Sequence, residues 1–389
     1  MRLSADLYGG PFAWQFKGGF HMQLFKELFG NVLNFTWQEL VMIVIGVVLI
    51  TLAIRRDMEP ALLLPMGFGA ILVNLPFVHT EAIETLFNAG IASELFPLLL
   101  FIGIGAMIDF GPLLSNPKML LFGAAAQFGI FFTLMVAMLF GFGLIDAAAI
   151  SIIGAADGPT SIYVANYFNS KYQGAIMVAA YSYMALVPIV QPPVIRAVTT
   201  RKERLIRMPY SPKSVSKTTK IVFPIFVTIV AGAIAPKSAE LIGFLMFGNL
   251  VRECGVLESL SQSAQKELAN LITLLLGISV AFKMQAELFV TVETLVIIAL
   301  GLVAFVFDTV GGVLFAKLLN LFCKNKVNPM IGAAGISAFP MASRVVHKMG
   351  REEDPDNFLL MHAAGANVGG QIASVIAGGL IITLVENIL

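Results

Sequence analysis

The chain has 389 residues, of which 58% are hydrophobic and 13% are charged, with a mean hydropathy of +0.86 and a formal net charge of +1. A soluble domain carries about a quarter charged residues, so this composition excludes that class and predicts an all-α, polytopic membrane protein. The near-zero net charge excludes a global field that would attract nucleic acid.

The sequence contains no pattern typical of zinc binding or of ATP binding. Cys254 and Cys323 are isolated, and the four histidines do not cluster at metal-ligand spacing, so no zinc site is expected. The chain has no GxxxxGK[ST] loop, so ATP is not the expected energy source.

An extension over residues 1–37 precedes the apolar segments. Phenylalanine and leucine recur on one face of residues 20–35, which predicts an amphipathic helix lying along the membrane surface. The extension lacks a basic region followed by an apolar core, so a cleavable signal peptide is not expected.

Apolar segments long enough to cross or enter the membrane follow from residue 38 to the end of the chain. They predict about ten or eleven transmembrane or re-entrant elements. Among them, 290–307 and 309–323 read as two separate elements. The segments 147–167 and 327–347 are polar and interrupted by Gly and Pro, which predicts broken helices.

The longest polar stretch, 199–219, lies near the middle of the chain. Eight basic residues stand between positions 196 and 220, so the positive-inside rule makes this linker cytoplasmic. Arg55 and Arg56 end the first span on the same side, which leaves the N-terminus outside. The linker separates a first membrane repeat over 38–198 from a second over 220–389.

The two repeats contain similar motifs in their broken segments. Gly154-Ala-Ala-Asp-Gly-Pro-Thr-Ser161 resembles Gly332-Ala-Ala-Gly-Ile-Ser-Ala-Phe339. The basic residues around the second motif place its ends on the cytoplasmic side, whereas the ends of the first lie outside. Broken segments that enter from opposite sides are typical of inverted repeats, which hold an ion between them near the middle of the membrane.

Asp157 is the strongest candidate for the ion-binding residue. A carboxylate at membrane depth is costly and is rarely present without a function. Gly158 and Pro159 follow it and free backbone carbonyls beside it, as in transporters that bind a small cation. Asn328, Ser337 and Asn367 in the second repeat offer further oxygen ligands for Na⁺, although such residues also join helices in membranes.

Four other residues with charged or hydroxyl side chains leave alternatives open. Arg344 could snorkel to the interface or hold an anionic carboxylate through its guanidinium group. Tyr183 could pack as an aromatic residue, pass on a proton or bind the cation. Asp109 and Asp308 stand beside Gly-rich turns, and we interpret them as structural turn residues at span ends.

Beyond residue 38 the sequence resembles the membrane β subunits of biotin-dependent, sodium-pumping decarboxylases of oxaloacetate, methylmalonyl-CoA, glutaconyl-CoA and malonate. The resemblance is most specific in long, ordered motifs. These are Phe101–Pro112, Gly154–Thr160, and the run from Asn328–Gly335 through Arg344 to Asn367–Gln371.

The resemblance implies a subunit that decarboxylates carboxybiotin, consumes a proton and exports Na⁺, and that is active only within a multisubunit complex. Asp157, Tyr183 and Arg344 would be catalytic, with Arg344 also binding the carboxybiotin, and Asp157, Asn328, Ser337 and Asn367 would bind Na⁺. The implied partners are a carboxyltransferase subunit, a biotin carrier and a small membrane subunit. The implied location is the bacterial inner membrane, with the chain forming a homo-oligomer.

A second interpretation stays open at this point. Broken helices, inverted repeats and a buried acid would equally serve a stand-alone secondary transporter such as a Na⁺/H⁺ antiporter. The two hypotheses differ in whether transport depends on a biotinylated partner.

Overall fold

The computed structural model describes residues 35–56, 59–209, 214–323 and 325–389. These ranges contain helices, turns and loops but no β-strand, which confirms the prediction of an all-α protein. The predicted interfacial helix over residues 20–35 lies outside the described residues, apart from its last residue.

The described helices follow one another with short connections. Six shorter 3₁₀ or π segments extend or interrupt them, among them the 3₁₀ turn Ile152–Ala155. The α-helices are α1 Trp37–Arg56, α2 Pro60–Val73, α3 Glu81–Phe87, α4 Leu95–Met107, α5 Gly111–Ser115, α6 Leu120–Ala126, α7 Phe128–Leu139, α8 Leu144–Ser151, α9 Gly158–Tyr167, α10 Gln173–Val198, α11 Arg201–Arg204, α12 Lys217–Ile234, α13 Ala239–Glu253, α14 Glu258–Ser263, α15 Ala269–Val280, α16 Ala286–Phe289, α17 Val292–Phe322, α18 Met330–Ala333, α19 Met341–Glu353 and α20 Leu360–Ile388.

The helix lengths and compositions fit a multi-pass membrane protein. Among the described residues, six helical stretches are long and apolar enough to cross a membrane, and eight if each of two bent pairs counts as one span. Two shorter helices, Pro60–Val73 and Leu144–Ala155, are also apolar. Helix α12 leaves Val222, Phe226 and Ile229 exposed, as expected of a face in contact with lipid.

The predicted division between 290–307 and 309–323 is wrong. Both segments form one continuous helix, α17, of 31 residues, so Asp308 is a mid-helix residue and not a turn residue. Gly311-Gly312 does not break the helix, and Gly312 packs closely against a neighbouring backbone. A Cβ atom at Gly312 would lie 2.1 Å from the carbonyl oxygen of Gly332. Asp109, in contrast, does lie in a turn, where its Oδ1 accepts a hydrogen bond from the Gly111 N–H.

The two broken segments predicted from the repeat motif meet each other. In the first, the 3₁₀ turn ends at Ala155 and the chain restarts as α9 at Gly158. In the second, α18 ends at Ala333 and α19 begins at Met341. The Ser337 N–H donates a 3.0 Å hydrogen bond to the Ala155 carbonyl, which joins the two breaks directly. The inverted orientation of the repeats stays a prediction.

Two buried apolar clusters hold the helices around the breaks. The larger one includes side chains of both broken segments and of α17 and α20. The smaller one joins α1, α2 and α15 and extends to Ile162 on α9 and Tyr181 on α10. Both clusters therefore reach the helix that begins immediately after Asp157.

The basic linker is bound to the second broken segment. The Asn328 side-chain amide donates to the carbonyls of Arg204 and Ile206, at 2.8 and 2.9 Å. Ion pairs join the linker and the end of α10 to the C-terminal end of α19 and the residues that follow it. They include Arg196–Glu352 at 3.0 Å, Arg204–Glu353 at 2.6 Å and Arg207–Asp354 at 2.6 Å.

Candidate ion-binding site

Asp157 lies in the first break, where the backbone changes direction. Ala156 adopts a left-handed conformation with φ 51°, which costs a non-glycine residue roughly 1–3 kcal/mol and is typical of functional sites. Asp157 then caps α9, and its Oδ1 accepts a 3.2 Å hydrogen bond from the Thr160 N–H. The carboxylate is 2% exposed, and it faces the partial positive charge at the N-terminus of α9.

Two serine hydroxyls from the C-terminal half of the chain donate to the other carboxylate oxygen. The Oγ atoms of Ser337 and Ser374 lie 3.0 and 2.7 Å from Oδ2 of Asp157, and 3.1 Å from each other. Ser337 belongs to the second break, whereas Ser374 lies in α20, fourteen residues from each end. Asp157 is thus held where both breaks meet the middle of a membrane-length helix.

Two amide side chains on α20 line the same region. Asn367 donates through Nδ2 to the Ile336 carbonyl at 2.7 Å, and Gln371 donates through Nε2 to the Ser337 carbonyl. Their oxygens, Asn367 Oδ1 and Gln371 Oε1, are buried and accept no hydrogen bond from the described residues. The Oγ1 atom of Thr160 is also buried without a partner there.

The site therefore offers oxygen atoms and one negative charge. Carboxylate, hydroxyl and amide oxygens are the ligands that hard cations prefer. One carboxylate balances one monovalent cation, so this set suits Na⁺ or a proton better than a divalent ion. Because buried polar atoms without partners are costly, the unpaired oxygens are suited to accept a cation.

Two tyrosines on α10 occupy different surroundings. Tyr183, the tyrosine predicted from the sequence, donates its hydroxyl to the Ile298 carbonyl on α17 and is 4% exposed. Tyr181 packs its ring against Gly158, because a Cβ there would lie 2.2 Å from Tyr181 Cε1. The Tyr181 hydroxyl is buried and makes no hydrogen bond to a described residue. Tyr181 is therefore the tyrosine that contacts the residue after Asp157.

The structure does not bring Asn328 to Asp157. Both amide hydrogens of Asn328 go to linker carbonyls, and its Oδ1 accepts from the Met330 N–H at 3.1 Å. The side chain is fully buried and fully occupied by these hydrogen bonds. In this conformation Asn328 joins the linker to the second break, and a role as a Na⁺ ligand would require it to move.

Arg344 lies on the exposed face of α19. Its neighbours Ala342, Val345 and Val346 are buried, whereas Arg344 and Lys348 are exposed. Within the described part of the chain Arg344 forms no ion pair, although other arginines of the same end do. Its guanidinium group is thus available to an anion from solution.

Ser374, Gln371 and Tyr181 were not predicted from the sequence as residues of this site. Asn367, Gln371 and Ser374 stand at positions i, i+4 and i+7 of one helix, so they share a face. That spacing could have extended the predicted site from Asn367 along α20. Tyr181 gave no such signal, because its contact with Gly158 depends on how α9 and α10 pack.

Comparison with known proteins finds relatives along nearly the whole chain. The family described as "Na⁺-transporting oxaloacetate decarboxylase beta subunit" matches residues 38–385. The chain is 49% identical to the glutaconyl-CoA decarboxylase subunit beta of Acidaminococcus fermentans, over 90% of this chain and 94% of that protein. It is 48% identical to the methylmalonyl-CoA decarboxylase subunit beta of Veillonella parvula, over 94% and 100%. It is 42% identical to the oxaloacetate decarboxylase beta chain of Haemophilus ducreyi, over 92% and 98%.

Proposed function

Because the chain belongs to the β-subunit family of Na⁺-transporting decarboxylases, we propose that it exports Na⁺ through a site at Asp157, driven by the decarboxylation of carboxybiotin. One observation carries this proposal. The Asp157 carboxylate is buried where two broken segments meet, and it is bonded by Ser337 and Ser374 from the other repeat. A buried acid at such a junction is the arrangement that transporters use for a coupling ion.

The Na⁺ ion would be held by oxygens around Asp157. Ser337 and Ser374 now donate to the carboxylate, and each hydroxyl also has lone pairs that it can offer to a cation after rotating. Asn367 Oδ1 and Thr160 Oγ1 are buried oxygens in the adjoining elements that lack partners among the described residues. These side chains come from both repeats, so a relative movement of the repeats would change the ligand set.

Sodium and a proton would alternate at the same carboxylate. A buried carboxylate is strongly disfavoured without a compensating charge, and either Na⁺ or H⁺ supplies one. The site therefore has two low-energy states, with Na⁺ bound or with the acid protonated. Exchange between them gives transport of Na⁺ in one direction and of a proton in the other.

Arg344 is the residue that we assign to carboxybiotin. The biotin of a partner carrier protein supplies the carboxyl group, whose loss as CO₂ places a proton on the biotin nitrogen. Arg344 is exposed on α19, and a guanidinium group can form two parallel hydrogen bonds to a carboxylate. Helix α19 directly follows the second break, so an anion bound at Arg344 acts on the segment that contains Ser337.

Tyr183 is assigned a positioning role within this proposal. Its hydroxyl bonds to the Ile298 carbonyl, and its ring contacts Gly301, so it fixes α10 against α17. A catalytic role, as implied by the family resemblance, would require the hydroxyl to leave that carbonyl. Tyr183→Phe separates these roles, because it keeps the ring and removes only the hydroxyl.

The proposed complex contains a carboxyltransferase subunit, a biotin carrier, a small membrane subunit and more than one copy of this chain, and its location is the bacterial inner membrane. The exposed apolar faces of helices such as α12 can contact lipid or membrane partners. The alternative of a stand-alone Na⁺/H⁺ antiporter has no support among the relatives named above, because each is a decarboxylase subunit.

The proposal is tested by decarboxylation-driven sodium uptake into vesicles that contain the reconstituted complex. Asp157→Asn should abolish uptake, whereas Asp109→Asn, the same change in an exposed turn, should leave it intact. Uptake at the parental rate by the Asp157→Asn complex would refute the assignment of the site. Sodium exchange by the purified chain without a biotinylated partner would favour the antiporter instead.

A further inference from the structure

A second acid, Asp308, is buried in the middle of the membrane-spanning part of the protein. It is 0% exposed and lies in α17, sixteen residues from Val292 and fourteen from Phe322. At 1.5 Å per residue, it is about 24 Å and 21 Å from the two helix ends. An acid at this depth is a functional candidate by default, and the site around Asp157 does not use it.

Asp308 faces the N-terminus of a helix that begins inside the membrane. The span Pro117–Leu139 is interrupted at Gln127, after which α7 starts at Phe128. The N–H groups of Gly129 and Ile130 point toward the Asp308 carboxylate. Even so, neither carboxylate oxygen completes a hydrogen bond of standard geometry with a described residue. The acid is therefore aimed at a helix N-terminus yet lacks a full set of donors.

The close packing around Asp308 favours a proton over a metal ion. A Cβ at Gly129 would lie 2.4 Å from Oδ1, and a Cβ at Gly154 would lie 2.8 Å from Oδ2. The backbones of two glycines thus occupy the space in which a Na⁺ ion would need several further oxygen ligands. A proton needs no such space, and it removes the charge that is costly to bury.

Few other titratable groups lie on the elements packed against α17. On α10 they are Tyr183, bonded to the Ile298 carbonyl, Tyr181, packed on Gly158, and Arg196, paired with Glu352. On α8 there is Asp146, whose Oδ1 accepts from Ser170 at 2.7 Å. Helices α6, α7 and α18 and the 3₁₀ turn Ile152–Ala155 contain no charged residue.

A short chain of contacts connects Asp308 to the sodium site. Gly154, which touches Oδ2 of Asp308, is followed by Ala155, whose carbonyl accepts from the Ser337 N–H. Ser337 in turn donates its hydroxyl to Asp157. A change of charge at Asp308 therefore acts on the turn that precedes Asp157 and on the contact between the two breaks.

We propose that Asp308 is a proton-binding residue that carries the proton moving opposite to Na⁺. The carboxylate takes up one proton to become a carboxylic acid and later returns it, with no change of oxidation state. This inference rests on the proposed function, in which that proton ends on the biotin nitrogen as CO₂ leaves. Asp308 would then hold that proton on its path through the membrane, before or after the proton replaces Na⁺ at Asp157.

The first test uses Asp308→Asn, which keeps the shape of the side chain but cannot be charged. The control is Thr309→Val, since the Thr309 hydroxyl is buried and, among the described residues, bonds only to its own helix, at the Phe305 carbonyl. We expect Asp308→Asn to lower decarboxylation-driven sodium uptake by about a hundredfold or more, as for a lost proton-transfer group. Stabilisation of the protein by Na⁺ should persist. Uptake at the parental rate would overturn the proposal.

A second test does not depend on the decarboxylase function. Infrared difference spectra of the purified chain between two pH values should contain a C=O band of a protonated carboxylic acid that Asp308→Asn removes and Asp157→Asn retains. If Asp308→Asn does not fold, Gly154→Ala presses a methyl group on Oδ2 and should shift that band. If neither Asp308→Asn nor Gly154→Ala changes the carboxylic acid band, the proposal is overturned, even if the complex pumps sodium.

Discussion

Ser374→Ala tests a residue of the proposed sodium site that only the structure reveals. The change removes a hydroxyl that donates at 2.7 Å to Oδ2 of Asp157 and leaves Ser337, at 3.0 Å, as the other side-chain donor. Ser374 is fully buried, so water does not readily replace the lost oxygen. The variant should fold, because alanine fits α20 and forms helix well.

The size of the effect follows from the two states of Asp157. A hydrogen bond to a charged group contributes about 1.5–3 kcal/mol, and one between neutral groups about 0.5–1.5 kcal/mol. Losing the hydroxyl therefore weakens the ionised, Na⁺-binding state more than the protonated state, by about 1–2 kcal/mol. That difference corresponds to an apparent Na⁺ affinity about 5- to 30-fold lower.

The assay is thermal unfolding of the purified complex at increasing Na⁺ concentration. At about 100 times the dissociation constant, a bound ion stabilises the folded state by about 2.7 kcal/mol, and a tenfold loss of affinity removes about 1.4 kcal/mol of this. Ser279→Ala is the matched control, because that serine is buried and its one side-chain hydrogen bond within the described ranges goes to the Leu275 carbonyl of its own helix. If Ser374→Ala keeps the parental dependence on Na⁺, Ser374 is not a ligand and the reasoning fails.

Three further predictions concern packing, the proposed carboxybiotin site and the linker. Gly158→Ala places a methyl group 2.2 Å from a buried tyrosine ring and should destabilise the protein by about 1–3 kcal/mol. Gly143→Ala should not, because no atom of the described part of the chain lies within 4 Å of the added methyl group; thermal unfolding measures both changes. Arg344→Ala should slow decarboxylation of carboxybiotin without reducing stabilisation by Na⁺, and equal losses in both assays would contradict the assignment. The hydrogen bond from Arg207 lowers the pKa of Asp354, so their contribution to stability is present at neutral pH and is lost as the pH falls through that lowered pKa. Arg207→Ala should therefore make the linker slightly more sensitive to proteolysis at neutral pH, a difference that should disappear in acid.

The sequence predicted the elements whose cause is local. Gly158 and Pro159 mark the first break, and the repeated Gly-Ala-Ala motif marks its counterpart. The hydrogen bond between Ser337 and Ala155 agrees with that pairing. A break of this kind follows from residues that are neighbours in the chain, and so it can be read from composition and spacing.

Prediction from the sequence failed where a glycine could either form a turn or allow a neighbouring backbone to pack closely. Gly311-Gly312 suggested a turn, which led to the wrong interpretation of Asp308. In the structure the absence of a side chain at Gly312 allows a neighbouring backbone to approach, and α17 continues through it. Asn328 shows the same limit, because an intramembrane amide can bind a cation or a carbonyl, and only the position of the linker decides between them.

The central claim is that Na⁺ binds at Asp157, between the two breaks. Equilibrium binding of radioactive sodium to the purified complex tests it without requiring turnover. We predict saturable binding by the parent and by Asp109→Asn, and none by Asp157→Asn at the same protein concentration and comparable thermal stability. Saturable binding of unchanged affinity by a folded Asp157→Asn protein would contradict the claim.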